Sequence, residues 1–266
     1  MRLNISPCPH SAIHLHGYER AVFPEFAVLF ETPSPSSPLR YFCRDSEEAF
    51  LSVILENHCK KAITALRYQW VTIDASGERR THTSSGDSYA VDVFRAIAEP
   101  RSRHLLSPSG SVDEALLTNV RAGGGFIGCV SAGRRSWTGI AEGAFEIQLI
   151  LFADGEIVGP DPDHYAVELQ SRKPAAEFVA RQIRLAESEA RDVIPVLSAL
   201  AEPPSFGGLG RAQGDPFDHW VRHYSKDFLR TMSRRFVGID VRAAKLRHLE
   251  NRPELPRFYR QPPPTQ

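Results

Sequence analysis

The sequence lacks long apolar runs, a net charge and a recognisable secretory leader. It contains no stretch of about 18 apolar residues, so no segment can cross a bilayer as a helix. The 32 Lys and Arg balance the 32 Asp and Glu, and this overall charge gives no reason to expect a polyanionic or polycationic partner. Residues 1–20 lack the basic start, apolar stretch and cleavage site of a leader. We therefore expect a soluble protein that stays in the cytoplasm, or is exported if the true start lies upstream.

Motifs that would name a reaction are also missing. There is no G-x-S-x-G nucleophile turn, no paired-histidine metalloprotease helix and no Walker loop. Residues 123–128, GGGFIG, match the glycine spacing of a dinucleotide-binding loop, but the β-branched and aromatic residues around them do not predict the helix that such a loop requires. We expect a turn or bulge between strands there, and no bound cofactor.

The four cysteines, Cys8, Cys43, Cys59 and Cys129, are widely spaced. No Cys-x-x-Cys pair indicates a zinc site or a redox dithiol. In a reducing cytoplasm they are expected to be thiols. After export they could form two disulfides, in any of three pairings that the sequence leaves open.

The chain length and the positions of Pro- and Ser-rich segments divide the chain into four regions. Its 266 residues, 42% of them hydrophobic, suffice for one large domain or two small ones. Residues 1–40 are expected to be an appendage that ends in a Pro/Ser linker, TPSPSSP, and contains an apolar strand, AVFPEFAVLF, confined to a sheet edge by Pro24. Residues 41–162 predict a β domain, residues 163–252 a helical region, and residues 253–266 a Pro-rich tail that is extended or mobile.

Short apolar segments separated by turn residues predict the strands of the β domain. AFLSVILEN and AITALRYQWVTID are expected to be adjacent strands joined by a hairpin through ENHCKK, and the turn at residues 75–77 closes the second strand. The pair Asp154 and Gly155 predicts a type I′ hairpin between FEIQLILFA and EIVG. SYAVDVF, LLTNV and FIGCV are further predicted strands. Short strands with frequent turns favour a β-sandwich.

Two helices are predicted beyond the β domain. The first covers residues 174–201, with Pro174 in its first turn and Pro195 where it kinks or stops. The second begins after the N-cap Asp215, with Pro216 in its first turn. Its apolar residues recur every three or four positions and form a stripe that must be covered: Phe217, Trp220, Val221, Tyr224, Phe228, Met232 and Phe236.

Four potential metal ligands lie close together near the start of the chain. Cys8, His10, His14 and His16 fall within nine residues, and His14 and His16 would point to the same side of a strand. Imidazole and thiolate are ligands that zinc and related ions prefer. The pattern therefore predicts a metal site formed by these four residues. The alternative is a set of unconnected side chains at a chain end, because no nearby carboxylate would orient the imidazoles.

Basic residues line the second predicted helix beside its aromatic stripe. Arg222, Lys226, Arg230 and Arg234 are four residues apart, which places them on one face. Residues 221–260 hold eleven Arg or Lys against four Asp or Glu, a charge of about +7 that the rest of the chain balances. Such a face can bind an acidic protein partner, an anionic membrane surface or, less favoured, nucleic acid. The alternative is a solvated face whose aliphatic stems cover apolar surface.

Two segments of the β domain resemble parts of a known kind of protein. They are residues 57–78, NHCKKAITALRYQWVTIDASGE, and residues 145–161, FEIQLILFADGEIVGPD, which resemble stretches of uncharacterised bacterial β-sandwich proteins with an immunoglobulin-like layout. The resemblance covers roughly residues 45–200 and involves strand and turn residues rather than catalytic ones. It implies an immunoglobulin-like sandwich and no known activity.

The sequence as a whole predicts an α+β protein in which an antiparallel immunoglobulin-like β-sandwich is followed by a helical C-terminal region. By analogy with other sandwich domains, the expected function is a noncatalytic binding or protein-interaction module. Two alternatives stay open. One is a hydrolase or metal-dependent enzyme with a site between the sandwich loops and the helices. The other is a basic-helix protein that contacts an acidic partner or nucleic acid.

Overall fold

The computed structural model describes residues 2–30, 46–89, 96–108, 110–114, 117–118, 137, 139–202, 215–233 and 239–261. The chain forms two compact units: residues 1–88, 95–162 and 256–266 make the first, and residues 89–94 and 163–255 make the second. Strands in the first unit and helices in the second give the α+β class that the sequence predicts. None of the described helices combines the length and hydropathy that a bilayer span requires.

The described part of the first unit contains nine strands in two sheets. In chain order they are β1 (Arg2–Ile5), β2 (Ile13–Gly17), β3 (Val53–Asn57), β4 (Ile63–Asp74), β5 (Arg79–Asp87), β6 (Arg103–Ser107), β7 (Gly110–Asp113), β8 (Ile140–Phe152) and β9 (Ile157–Val158). The first sheet has the order β1-β8-β4-β5, with β9 paired to β8, and the second has the order β2-β3-β6-β7. Only the pairing of β1 with β8 is parallel among the described strands.

Both sheets contribute side chains to one hydrophobic core. Alternate residues of β4 enter it, as the period of two along a strand requires. The buried members include Leu66, Tyr68, Trp70 and Phe145 from the first sheet and Ile13, Val53, Leu55 and Leu106 from the second. Trp70 is fully buried, packs against the Phe145 ring at 5.1 Å, and donates its indole N–H to the carbonyl oxygen of Leu51 at 2.9 Å.

β3 and β4 do not form the hairpin expected from their sequence. The segment AFLSVILEN begins as a helix, α1 (Ser46–Leu51), and only its second part is strand β3. Because β3 belongs to the second sheet and β4 to the first, ENHCKK connects the two sheets. The expectation was wrong because a polar turn does not specify which strands pair, and β3 is buried on both faces between β2 and β6. The turn at residues 75–77 does close β4, as predicted, and it leads into β5, a strand that was not predicted.

Residues 2–30 are built into the first unit rather than appended to it. β1 extends the first sheet beside β8, and β2 extends the second beside β3. The segment predicted as an edge strand is a 3-10 helix, Pro24–Phe30. Its buried residues continue a period of three, with Phe23, Phe26 and Leu29 packed against the second sheet. That period matches a 3-10 helix, and proline is well tolerated in its first turn.

The hairpin predicted at Asp154 and Gly155 is confirmed, but its turn is not type I′. β8 and β9 pair in antiparallel fashion on either side of it. Gly155 has a φ of 94°, whereas Asp154 is not among the residues with positive φ. A type I′ turn requires positive φ at both central positions. Because the Gly155 amide donates to the carbonyl of Phe152 at 2.9 Å, the connection is a type I turn followed by a glycine bulge.

Four helices form the described part of the second unit. They are α2 (Tyr165–Ser188), α3 (Val193–Ala201), α4 (Pro216–Ser233) and α5 (Ile239–Glu250). Their apolar faces share one core, to which α4 contributes Val221, Tyr224 and Phe228. The aromatic stripe of α4 is therefore covered by the other helices of its own unit.

The first predicted helix is in fact two helices. α2 begins at Tyr165, so Pro174 lies inside it rather than in its first turn. A proline there removes one backbone hydrogen bond, and the residues that follow it, Ala175 and Ala176, are fully buried. Pro195 does not stop a helix either, because it lies in the first turn of α3, where proline is tolerated.

An aspartate caps the start of two helices of the second unit. The Asp215 carboxylate accepts the amide hydrogen of Phe217 at 2.9 Å, which confirms the predicted N-cap of α4. Asp192 caps α3 in the same way by accepting the amide of Ile194 at 3.0 Å. The capping carboxylate accepts a backbone N–H only two residues later in the chain. A single Asp can therefore mark a helix start in a sequence.

Over its described residues 253–261, the Pro-rich tail contains no helix and pairs at one residue with the β8–β9 hairpin. Tyr259 forms a parallel β-bridge with Glu156, next to β9. Several other predicted features lie wholly or largely outside the described residues: TPSPSSP, SYAVDVF, LLTNV, FIGCV, GGGFIG, Cys43, Cys129, Arg234 and Phe236.

Replacement of Trp70 tests the shared core. We expect Trp70→Phe to lower the free energy of unfolding by about 2 kcal/mol, because it leaves the buried Leu51 carbonyl without its donor and removes packed ring atoms. Urea unfolding followed by circular dichroism measures this difference. Val22→Ala, at a side chain 56% exposed, is the control and should change stability by less than about 0.5 kcal/mol. Equal effects of the two substitutions would contradict the assignment of Trp70 to the core.

Candidate metal-binding site

Two histidines of β2 point away from the shared core. Ile13 and Leu15 of this strand pack into the core, and alternate residues of a strand point to opposite faces. His14 and His16 therefore lie on the outer face of the second sheet, where both are exposed. The antiparallel register places His14 directly opposite Glu56 of β3.

His58 completes a group of three possible ligands on this face. It follows β3 and lies two residues beyond Glu56, with its Nε2 3.3 Å from Glu56 Oε2. The ring centroids of His14 and His58 are 4.6 Å apart. One nitrogen of each histidine and one oxygen of Glu56 all lie within 4.8 Å of one another. In the part of the chain that the structure describes, no other three His, Cys, Asp or Glu side chains meet this spacing.

An ion-pair network holds the Glu56 carboxylate in place. Arg103 of β6 lies opposite Glu56 in the β3–β6 register. Its Nε donates to Glu56 Oε1 at 2.8 Å, and its Nη1 donates to Glu25 Oε1 at 3.1 Å. The guanidinium also packs over the Phe23 ring, 5.7 Å from the ring centroid. Because Arg103 binds Oε1, the second carboxylate oxygen stays directed at the imidazoles of His58 and His16, which lie 3.3 and 3.5 Å away.

Asn57 fixes the loop that carries His58. Its side chain is 1% exposed, and its amide donates to three backbone carbonyls at 2.9, 3.1 and 3.3 Å. The side-chain oxygen accepts the backbone N–H of Cys59 at 3.0 Å. The His58 amide itself donates to the carbonyl of Ala12 at 2.9 Å, which ties the loop to the start of β2. His58 is thus positioned by buried hydrogen bonds, although its ring is exposed.

The electrostatics of the group favour a cation. Partial burial alone would raise the pKa of Glu56, but hydrogen bonds from Arg103 and His58 outweigh it, so that the pKa lies below its usual value. Glu56 is therefore ionised at neutral pH. Arg103 pairs with both Glu25 and Glu56, so the two carboxylates share one guanidinium.

The three side chains have the chemistry of a transition-metal site. Two imidazoles and one carboxylate form the ligand set of several zinc sites and of non-haem iron sites. In a tetrahedral zinc site with bonds of about 2.0–2.2 Å, neighbouring ligand atoms lie about 3.3–3.5 Å apart. The 3.3 Å separation between His58 and Glu56 already has this value, and the separations of up to 4.8 Å need only a small contraction. His16 or water can occupy a fourth position.

The structure brings together two of the four metal ligands predicted from the sequence. His14 and His16 lie on the outer face, whereas Cys8 packs against the shared core on the other side of the sheet. Burial raises the pKa of the Cys8 thiol to about 11, which makes it a poor ligand at neutral pH. His10 lies 3.6 Å from the Cys59 Sγ and does not join the group of three. The four predicted ligands therefore do not meet in one group.

Glu56 and His58 are the candidate ligands that the sequence pattern did not reveal. Glu56 lies at the end of the predicted strand AFLSVILEN and, with His58, in the polar connection ENHCKK, and neither residue was grouped with the N-terminal histidines. A detectable signal exists: His14 and His16 alternate with apolar residues on one strand, and Glu56 and His58 have the same spacing of two at the end of another. The sequence pattern does not show that these two strands pair with each other.

The basic residues predicted to share a helix face lie on α4. Arg222 is partly buried, and Lys226 and Arg230 are exposed. None of the three forms an ion pair with another described residue, whereas the neighbouring Asp227 pairs with Lys245. The fourth predicted member of this face, Arg234, lies outside the described residues. The described part of α4 thus presents unbalanced positive charge.

Comparison with known proteins finds no match: no family model fits the chain, and neither the curated proteins nor the solved structures include a similar one.

The pH dependence of stability tests the Glu56 network. The pKa of Glu56 is lowered on folding, so the folded state binds fewer protons than the unfolded state. We expect Glu56→Gln to destabilise the protein at pH 7, and this effect to shrink as the pH falls below the ordinary value of 4.5. Urea unfolding of both proteins between pH 3 and pH 7 measures the difference. Glu142→Gln, at an exposed position of β8, is the control. A destabilisation by Glu56→Gln that is the same at pH 3 and pH 7 would show that the carboxylate charge plays no part.

Proposed function

We propose that this protein is a noncatalytic binding module whose ligand is a divalent first-row transition metal ion, held by His14, Glu56 and His58. The observation that carries the proposal is the convergence of three ligand atoms within 4.8 Å on one sheet face. Arg103 supports it, because carboxylate ligands in metal sites are commonly oriented by a further hydrogen bond. Zinc is our first choice, because imidazole and carboxylate both suit it and because it imposes no preferred geometry of its own.

The open setting of the group supports binding rather than catalysis. His14 is exposed and the His58 side chain is 51% exposed, on the outer face of a sheet. Catalytic sites are usually concave and exclude water. A metal ion held at an exposed strand pair keeps coordination positions for water or for a donor group of a partner protein. We propose that a partner protein binds at these coordination positions. This would give the interaction role that is expected from the sequence.

Metal titration of the full-length protein tests the proposal. After dialysis against a chelator, we expect calorimetry with zinc chloride to show about one bound ion per chain. His14→Ala and His58→Ala should each weaken binding by about a hundredfold or more, because loss of an orienting partner alone costs 10- to 100-fold. Binding should also weaken as the pH is lowered, because imidazole binds metal in its neutral form.

Matched variants separate this group from the ligands suggested by the sequence alone. Cys8→Ser and His10→Ala should leave zinc affinity unchanged, and so should His219→Ala at an exposed position of α4. Zinc binding that survives the combined His14→Ala and His58→Ala substitutions, or that is lost in Cys8→Ser, would overturn the assignment.

A metal-dependent hydrolase is the second candidate, because three protein ligands leave room for a metal-bound water. The zinc-loaded protein distinguishes the two functions when it is assayed with an activated ester. The binding module predicts no zinc-dependent hydrolysis above that of free zinc. Hydrolysis that is abolished by His58→Ala would favour the enzyme.

A basic interaction surface on α4 is the third candidate, supported by Arg222, Lys226 and Arg230, which form no ion pair with another described residue. We expect the wild-type protein to bind a helical peptide with glutamates at every fourth position, and to release it as salt is raised. Replacing the three residues with Glu should abolish this binding, which fluorescence anisotropy measures. Affinity that is unchanged in the triple variant would remove this candidate.

The immunoglobulin-like sandwich stays our proposal for the first unit, and the helical region for residues 163–252. The core shared by the two sheets supports the sandwich, and the separate core of the four helices supports the helical region. We also propose a cytoplasmic location, which is supported by the free thiols of Cys8 and Cys59.

A further inference from the structure

Residues 256–260 lie beside the β8–β9 hairpin and pair with it through one β-bridge at Tyr259. The Tyr259 amide donates to the carbonyl of Gly155 at 3.0 Å, and the Ile157 amide donates to the carbonyl of Tyr259 at 2.8 Å. These two bonds form the parallel bridge between Tyr259 and Glu156. Backbone pairing of this kind is how extended peptides bind to exposed sheet edges in other proteins.

The side chain of Tyr259 is recognised by charged groups. Its hydroxyl donates to Asp154 Oδ2 at 2.9 Å, and Lys61 Nζ donates to the same hydroxyl at 3.4 Å. Lys61 lies 5.9 Å from the centroid of the tyrosine ring. It is held there by ion pairs with Asp154 and with Glu156, which is 4% exposed. The arrangement selects tyrosine, because phenylalanine would leave the Asp154 carboxylate without the phenol donor.

The β8–β9 hairpin has a glycine where residues 256–260 approach its backbone closely. A Cβ at Gly155 would lie 2.2 Å from the carbonyl oxygen of Arg257, so a larger residue there would displace the segment. Next along the chain, the Arg260 guanidinium donates to the carbonyl of Gly159. Gly77 offers a matched comparison, because its φ of 85° is similar to the 94° of Gly155 but nothing lies within 4 Å of its Cβ position.

From this geometry we infer that the β8–β9 edge is a peptide-binding site for an extended segment with tyrosine followed by arginine. The chain's own residues 256–260 occupy the site, and a second protein that carries such a segment competes with them for the same edge. Backbone hydrogen bonds from Gly155 and Ile157 provide affinity, while Asp154 and Lys61 provide selectivity for tyrosine. The site is independent of the metal-binding proposal.

The test uses the full-length Tyr259→Ala protein and a fluorescent peptide, PRFYRQ, copied from residues 256–261. Without its phenol anchor, the protein's own segment should leave the edge and the peptide should bind saturably in fluorescence anisotropy. Binding to the wild-type protein should be about tenfold weaker or more, because only the fraction of molecules with an open edge is competent. A peptide with alanine in place of tyrosine should not bind to either protein.

Two protein variants make the result specific. Adding Gly155→Ala to Tyr259→Ala should abolish peptide binding, whereas adding Gly77→Ala should not. A folded Tyr259→Ala protein that fails to bind PRFYRQ would overturn the inference, as would equal binding of the alanine peptide. If Tyr259→Ala does not fold, Tyr259→Phe provides the test through hydrogen exchange of the Ile157 amide. That amide should exchange at least about tenfold faster than in the wild type, because its partner segment is held less tightly, and an unchanged rate would also overturn the inference.

Discussion

The candidate metal site depends on the register of β2 on β3. Ile13 and Leu15 must face the shared core, and this requirement places His14 opposite Glu56. A shift of one residue would turn the histidines inward and the apolar residues outward, which is costly where one face is buried. The packing energy of two aliphatic side chains therefore determines which carboxylate the histidines meet. The convergence of ligands is a consequence of the core rather than of any local motif.

The outer face of the second sheet has an apolar part and a polar part. Phe26 and Leu29 of the 3-10 helix cover its apolar part, where Ile54 is buried. The remaining part carries the histidines, Glu56 and Arg103. Because Glu25 belongs to the same 3-10 helix and pairs with Arg103, the helix that closes the apolar half also completes the charge network of the polar half. Folding and the electrostatics of the site are thus coupled through one short element.

Sequence patterns predicted features that local chemistry determines. The Asp215 cap, the strand at β4 and the hairpin after β8 belong to this kind, since each depends on residues close together in the chain. The sequence did not predict that β3 pairs with β2 and β6 instead of β4, because strand partners are selected by packing across the whole unit. The 3-10 helix was misassigned for a related reason: a short apolar run fits a strand or a helix until its burial is known.

The same difference between local features and tertiary pairing explains which parts of the candidate site could be predicted. The spacing of His14 and His16 indicated a shared strand face, which the structure confirms, but Glu56 and His58 join them only through the tertiary pairing of β2 with β3. Cys8 was grouped with the histidines because it is near in sequence, and its burial on the core side separates it from them. Proximity along the chain was a poor guide to proximity in space here, since consecutive residues of a strand alternate between faces.

The most direct test of the central claim is a crystal structure of the zinc-loaded protein with anomalous diffraction data collected at the zinc edge. We expect one anomalous peak on the outer face of the second sheet, about 2.0–2.2 Å from a nitrogen of His14, a nitrogen of His58 and an oxygen of Glu56. A peak beside Cys8 or His10, or no peak in fully loaded crystals, would contradict it.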